Sequence, residues 1–508
     1  MISKVITFDQ IRAIVDEAKR QGMKIVHCHG VFDLLHPGHI RHLKEAKRQG
    51  DQLVVTVTPD RYVNKGPGRP VFHELLRIET LAALDCIDYV ILNDSPDAVS
   101  PIQRIKPDVY VKGKEYQEHA SDITGKIVSE EKTVKEIGGA IYYTDDVTFS
   151  SSALLNRYFD PHSKQLQKFL DSLKKRHALE SLIENIEALK HLRILVVGDA
   201  IIDEYQYVEA LGQSGKGLHM TARYLDKDIF LGGALIIANH IAQFSDRVTL
   251  LTAIGESCPE RDFIENTLEQ KIHRKITYLN SQQTLKKTRY VSQDGKNISK
   301  LFEVYSNNDA LLDDHQTAEV ISYIKRHSQE YDLVLVADFG NGFTNPAIIE
   351  ALSTIPTFLA INTQTNSGNR GFNVITHYKR ADFISLNEPE LRLAAHDRIR
   401  SLNVITEEIA HHLHCSKMTI TQGVNGVFCW SANESSLCIP ALTTHAVDRV
   451  GAGDSFFSVA ALAAAQKLPL NLVGFFGGIA AALGIQVVCN RKPIGKVAFL
   501  KFLTRLLK

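Results

Sequence analysis

The sequence predicts an α/β protein made of two doubly wound parallel-sheet domains, and three observations carry that expectation. Short apolar runs alternate with stretches of helical periodicity, both before about residue 157 and after about residue 191. Glycine-rich loops follow several of these runs at once, which is where such sheets place their ligands. Between the two regions lies a charged stretch without glycine, and 508 residues are too many for a single core.

In the first unit, 1–157, helical periodicity covers Ile11 to Gln21 and the run Lys24 to Cys28 reads as a buried strand. A loop containing Gly30, Phe32 and Asp33 leads to His36-Pro37-Gly38-His39 and a helix to Arg48. Then come a strand Gln52 to Thr58, a basic glycine-rich loop Asn64 to Pro70, a helix Glu74 to Leu84, and strands at Tyr89 to Leu92 and from Pro107 to Gly113. Residues 158–190 carry Leu166, Phe169, Leu170, Leu173, Leu179, Leu182, Ile183 and Ile186 at helical spacing, a connector whose apolar stripe docks on a domain or on a second copy. The second unit, 191–508, opens with a strand to Asp199. Residues 206–231 read as short exposed strands forming a small β lid, whose open edges with the connector point to a homodimer. Gly232-Gly233, a helix to Phe244 and strands at 247–253, 333–337, 357–361, 383–386 and 418–421 complete the alternation.

Composition narrows the partners. Lys+Arg and Asp+Glu number 58 each, so no net field favours nucleic acid or an anionic membrane. Seven cysteines without CxxC spacing suggest neither a disulfide framework nor a zinc site. The first twenty residues mix charge with apolar side chains and lack a signal-peptide core, and the run Leu472 to Ile485 is too short to span a bilayer. The expectation is a cytoplasmic protein.

Two stretches carry chemistry. Gly451-Ala452-Gly453-Asp454 before a long apolar run reads as a loop turning into a buried helix, an anion site made of backbone amides and helix dipole. Asp454 there can accept a hydroxyl proton while the amides stabilise a transferring phosphoryl group. His36 and His39, one turn apart at another helix start with a glycine between them, can both donate to one polyphosphate.

The first unit resembles the cytidylyltransferase-like nucleotidyltransferases, a Rossmann-like fold, through Gly30-x-Phe32-Asp33, His36 to His39, the loop Lys65 to Pro70, Arg77, Val111-Lys112-Gly113 and Thr148 to Ser152. The resemblance implies that His36 and His39 hold NTP phosphates and that Gly30, Phe32 and Asp33 belong to the nucleotide site. It also implies that Lys65 and Lys112 neutralise the triphosphate or the incoming sugar phosphate, and that Ser150, Ser151 and Ser152 bind phosphate at a helix start. The NTP is ATP or CTP. The second unit resembles the ribokinase (phosphofructokinase B) family through Gly198-Asp199 with Asp203, Gly232-Gly233, Asn387 to Glu390, Thr421 to Gly426 and the Asp454 loop. This implies ATP and Mg2+ as cofactors, Asn387 and Glu390 acting on the metal through water, and Thr421, Gly423, Gly426, Gly451, Ala452 and Gly453 on the nucleotide. Asp199, Asp203, Gly232, Gly233 and Arg289 then face the sugar.

The pairing resembles the bifunctional kinase and nucleotidyltransferase family of ADP-heptose synthesis, with the domain order reversed. It implies an activated sugar for a surface glycan. Departures fall on the presumed acceptor side: Ile236, Asn341 and Asn362 stand where an Asn, a Lys and an Asp are usual, and Lys216, Arg223, Lys286 or Arg289 would have to restore the lost charge. The alternatives are a CTP-dependent transferase acting on an alditol or other alcohol phosphate, and a kinase half that serves as a sugar-nucleotide binding module.

Overall fold

The computed structural model describes residues 4–117, 125–144, 163–280, 282–294, 297–306 and 312–507. The chain divides into two compact units, Met1–Pro161 with Leu500–Lys508, and His162–Phe499. The connector stretch thus goes with the second unit, and the last nine residues go with the first.

The first unit is a parallel sheet of β1 (Ile25–Gly30), β2 (Gln52–Val57), β3 (Tyr89–Leu92), β4 (Val109–Gly113) and β5 (Ala140–Thr144), in the order β3-β2-β1-β4-β5. Ile25, Val26, His27 and Cys28 are all buried, as a central strand covered on both faces requires. The chain leaves β1 toward β2 on one side and reaches β4 on the other, so the crevice opens at the carboxyl ends of β1 and β4. The first helix starts at Phe8, three residues before its apolar periodicity suggests, because Thr7 and Gln10 form a capping box. The sequence reading passed over β5, an edge strand whose Ile141, Tyr142 and Tyr143 are only half-buried.

In the second unit a nine-stranded sheet has the order β10-β9-β6-β13-β14-β15-β16-β17-β18. Its strands are β6 (Arg193–Gly198), β9 (Arg247–Gly255), β10 (His273–Leu279), β13 (Leu333–Asp338), β14 (Phe358–Thr363), β15 (Phe383–Asn387), β16 (Lys417–Thr421), β17 (Val427–Ser431) and β18 (Leu437–Ile439). All neighbours pair in parallel except at the end, where β17 runs antiparallel to both β16 and β18. A second sheet, β12-β11-β7-β8, is the lid: β7 (Ala200–Gln213), β8 (Met220–Gly233), β11 (Leu285–Asp294) and β12 (Asn297–Ser306). The lid strands are long rather than short as the sequence suggested. The base of β7, from Ala200 to Tyr205, is buried, and only the far part of the hairpin carries the polar composition that reads as exposed.

The connector forms helices Lys164–Arg176 and Leu179–Ala188, with Leu166, Leu170, Leu173, Leu182 and Ile186 buried. Phe169 meets Phe475 with ring centroids 5.8 Å apart, and Asn471 bonds His177 at 3.2 Å. The stripe therefore docks on its own unit. The apolar run near 472–485 is helix Leu470–Gly484, and no helix among the described residues is long and apolar enough to cross a membrane.

Candidate active sites

The crevice of the first unit gathers the two histidines. His36 caps the helix Pro37–Lys47, its Nδ1 accepting from the Gly38 amide at 3.2 Å, and His39 lies one turn on with ring centroids 4.0 Å apart. Two buried nitrogens, His36 Nε2 and His39 Nδ1, find no hydrogen-bond partner among the described residues, and a ligand's oxygens would satisfy them. Burial holds His39 down to about 3, with His36 and Lys65 adding to the effect, and burial followed by Lys65 lowers His36. Both imidazoles are thus neutral at pH 7 until an anion arrives. Phe32, at φ 49°, meets His39 edge to face with ring centroids 5.7 Å apart, and packs against Gly30, where a Cβ would come 3.0 Å from its ring.

Cations surround this pair. Lys65 is pushed down to about 8, chiefly by burial, with Asp33 opposing and Arg69, Lys501 and Arg77 reinforcing the shift. Asp33 is engaged elsewhere than the nucleotide role expected of it: its carboxylate accepts from Arg69 at 2.7 Å and from the amides of Val71 and Phe72 at 2.6 and 3.1 Å. It folds the basic loop. Arg77, wholly buried, donates to the carbonyls of Val31, Thr58 and Phe72 and to Asp60, and so joins the loop after β1 to the one after β2. Lys112, at the end of β4, pairs with buried Glu130 at 2.8 Å, and Tyr110 donates to the same carboxylate. Sequence reasoning missed Glu130 because a lone acid in a helix carries no pattern. Ser150, Ser151 and Ser152 lie outside the described residues.

In the second unit Gly451, at φ 82°, opens helix Ala452–Ala465, and a Cβ there would collide with Asn490. Asp454 is buried in the first turn, one residue past Gly453, and its Oδ1 accepts from Gln364 Nε2 at 2.7 Å. Burial, then the nearby Asp203, pushes this carboxyl up to about 7. Gly453 and Ala452 line a cavity of about 1170 Å³ that also takes in Asn387, Thr421, Gly423 and Gly426. Three motifs far apart in sequence, Asn387 to Glu390, Thr421 to Gly426 and the Asp454 loop, therefore meet at one cavity.

Asn387 caps helix Glu388–Ala394 in a reciprocal box: its Oδ1 accepts from the Glu390 amide at 2.8 Å, and Glu390 accepts from the Asn387 amide at 2.9 Å. Glu390 also accepts from the Thr365 amide and is pushed up to about 7 by burial. Glu390 and Asp454 are thus both buried carboxyls raised to about 7, with Asp454 adding to the shift of Glu390 and Asp203 to that of Asp454.

On the lid side, Gly232 and Gly233 bring β8 against β7 so closely that a Cβ would strike Asp203 or the Asp199 carbonyl. Asp203 is ion-paired with Arg289, whose Nε also reaches Glu303 at 3.3 Å. The Asp199 carboxylate takes the amides of Phe339, Asn341 and Phe343 and thereby shapes the loop after β13. Asn362 donates to the Ser385 carbonyl at 2.7 Å, and Ile236 is core. Two contributors escaped the sequence reading. Lys287, on β11, is buried under the rings of Tyr305 and Phe339 and faces Asp203 and Asp454. Asp448 binds Tyr205 at 2.6 Å and Lys300 at 2.7 Å, tying the loop before Gly451 to the lid.

Residues 191–489 match the model of the pfkB family carbohydrate kinases. The chain belongs to that family. Residues 27–157 of this kinase match the cytidylyltransferase-like model. Among curated relatives it is 40% identical over 156 residues to Bifunctional protein HldE of Methylobacillus flagellatus, covering 30% of each chain. It is 39% identical over 155 residues to the protein of that name in Gluconobacter oxydans, covering 30% of this chain and 31% of that one. The kinase thus spans less than a third of the length of these relatives, and the matches fall in its N-terminal third. Among solved structures, phosphofructokinase-2 of Escherichia coli in complex with potassium aligns with TM-score 0.51 at 12% identity, over 62% of this chain and 100% of that one. The same enzyme in complex with substrates and products gives 0.50 at 11%, with the same coverage. At these identities the likeness concerns the fold.

Proposed function

We propose that the two domains act in sequence to make a nucleotide-activated sugar. The C-terminal domain phosphorylates a sugar or sugar phosphate with ATP. The N-terminal domain joins the resulting sugar 1-phosphate to a nucleotidyl group and releases pyrophosphate. The observation that carries this reading is Asp454, a buried carboxyl at a glycine-opened helix start beside a cavity large enough for ATP.

As the acceptor hydroxyl attacks the γ-phosphorus, its proton passes to Asp454, a P–O bond forms, and the bond to ADP breaks. Amides at the helix start stabilise charge on the phosphoryl oxygens, and Gln364 keeps the carboxylate oriented. Mg2+, when bound through water near Glu390 and Asn387, would neutralise the nucleotide phosphates. In the first unit the attacking phosphate is already ionised, so His36, His39 and Lys65 need only position the triphosphate and balance its charge, while Lys112 is held beside them by Glu130.

The acceptor is a sugar or a sugar phosphate, and the cations near it bear on which. Of the four cations the sequence offered, Lys286 pairs with Glu260 at 2.7 Å, Arg223 with Glu209 at 3.1 Å and Arg289 with Asp203, while Lys216 sits exposed near the lid tip. Lys287 takes the place they leave. An ADP-heptose-like product, and a surface glycan beyond it, are supported by the domain pairing. CTP in place of ATP at the first site is the second reading, favoured by the cytidylyltransferase-like match. ATP and CTP competing in pyrophosphate release separates the two. A second copy on the lid is supported by its exposed Leu218, Met220, Tyr224 and Leu225.

The test is phosphoryl transfer from ATP to a panel of sugars and sugar phosphates, heptose 7-phosphate included, with wild type beside Asp454→Asn. A sugar 1-phosphate formed only by wild type is the expected result. No product across the panel sinks the kinase reading and leaves a binding module.

A further inference from the structure

The basic loop that presents Lys65 has a neighbour from far along the sequence. The final helix, Lys496–Leu507, brings Arg505 and Phe502 into the first unit, to which Leu500–Lys508 belong. Arg505 is buried, and its Nη1 donates to the Pro67 carbonyl at 2.7 Å and to the Lys65 carbonyl at 3.2 Å. Between those two residues Gly66 adopts φ 84°, and the Phe502 ring lies so close that a Cβ on Gly66 would come 2.5 Å from it. A residue with a side chain is excluded there twice over, by backbone conformation and by space.

We propose that Arg505, seated by Phe502, is a positioning residue for nucleotidyl transfer, fixing the Lys65-Gly66-Pro67 backbone so that the Lys65 ammonium meets the triphosphate. The physical case rests on where loop rigidity originates. Asp33 holds the far side of the loop through Arg69, Val71 and Phe72, four or more residues after Lys65. The Lys65 and Pro67 carbonyls are held from the other side by one planar guanidinium, a donor that keeps its charge and its geometry when buried. The Arg505 guanidinium also adds positive field to a cluster already containing Lys65, Arg69, Arg77 and Lys501, with Asp33 as a nearby acid. Such a cluster is costly in the empty protein and favourable once a polyphosphate enters. The N-terminal domain therefore depends on the last residues of the chain.

This inference rests on the nucleotidyltransferase reading, and the experiment separates the two. In the full-length chain, Arg505→Gln and Arg505→Lys are compared with wild type for pyrophosphate release, for phosphoryl transfer, and for hydrogen exchange of the loop amides in 64–70. For Arg505→Gln we expect kcat of pyrophosphate release to fall about tenfold to a hundredfold, the scale of a catalytic group displaced by about 1 Å. KM for the NTP should change less, phosphoryl transfer should stay within about twofold, and the loop amides should exchange faster. Arg505→Lys, which still reaches one carbonyl, should recover most of the loss. Unchanged exchange in the loop, an equal fall in both activities, or a Lys variant as poor as Gln would overturn the proposal. Wild type that releases no pyrophosphate while Arg505→Gln still loosens the loop would refute the transferase reading and keep Arg505 as the loop's anchor.

Discussion

Replacing Gln364 should move the pH profile of phosphoryl transfer in a stated direction. Asp454 must be ionised to accept a proton, and burial with Asp203 nearby holds it up to about 7. kcat/KM, which reports the free enzyme, should then rise with pH through about 7 and level off. Only about a tenth of the protein is active at pH 6 and about nine tenths at pH 8, a difference of roughly tenfold. The Gln364 amide donates to the ionised carboxylate at 2.7 Å and so lowers its pKa. A hydrogen bond to a charged group is worth about 1.5–3 kcal/mol, and one pKa unit is about 1.4 kcal/mol, so Gln364→Met should raise the midpoint by about one unit or more. At pH 7 the variant keeps roughly a sixth of wild-type kcat/KM, while above pH 9 the two converge. The assay is ADP release against pH from 5.5 to 9.5. A midpoint that stays in place or falls would refute the assignment of Asp454 as the titrating base.

The same carboxyl makes a stability prediction. Its folded-state pKa is raised, so its contribution is fully present below about pH 4 and is lost as pH climbs toward 7. Asp454→Asn should therefore leave thermal stability nearly unchanged at pH 4.5 and raise it at pH 8 while abolishing phosphoryl transfer; a loss of stability at pH 8 contradicts the sign. His39 runs the other way: its pKa is lowered to about 3, so stability holds above about 6.5 and falls as pH drops toward 3. In NMR its ring should stay neutral to pH 5 in the free protein and gain a proton only when NTP is added; titration near 6.5 without nucleotide defeats this. Glu130→Gln leaves Lys112 without its buried partner and should cost about 3 kcal/mol in urea denaturation. An unchanged midpoint would mean that Lys112 finds another acid. Gly232→Ala pushes a methyl into the Asp203 carboxylate, so acceptor KM should rise more than ATP KM. Equal effects on both would place the diglycine away from the acceptor.

Much of the nucleotide side was legible in sequence because its chemistry is local. Thr421, Gly423, Gly426, Asn387 and Gly453 sit at strand ends and helix starts whose positions follow from apolar runs and caps, and the sheet brings them to one cavity. His36 and His39 likewise need only one helical turn to meet. Asp33 and Asp199 show the limit of such reading. An acid in a glycine-rich loop looks the same in sequence whether it faces a ligand or folds the loop, and here backbone amides occupy both carboxylates.

The pair of doubly wound folds, their order along the chain and the two glycine-marked helix starts all follow from sequence. Each depends on the period of apolar residues and on backbone freedom at a few glycines, which are properties of short stretches. The tertiary structure alone decided which charges remain for ligands. Glu130 claims Lys112, Asp203 claims Arg289, Lys287 is left facing Asp454, and Arg505 reaches the Lys65 loop from more than four hundred residues away. Ion pairs and donors are made by proximity in space, and no spacing along the chain encodes them.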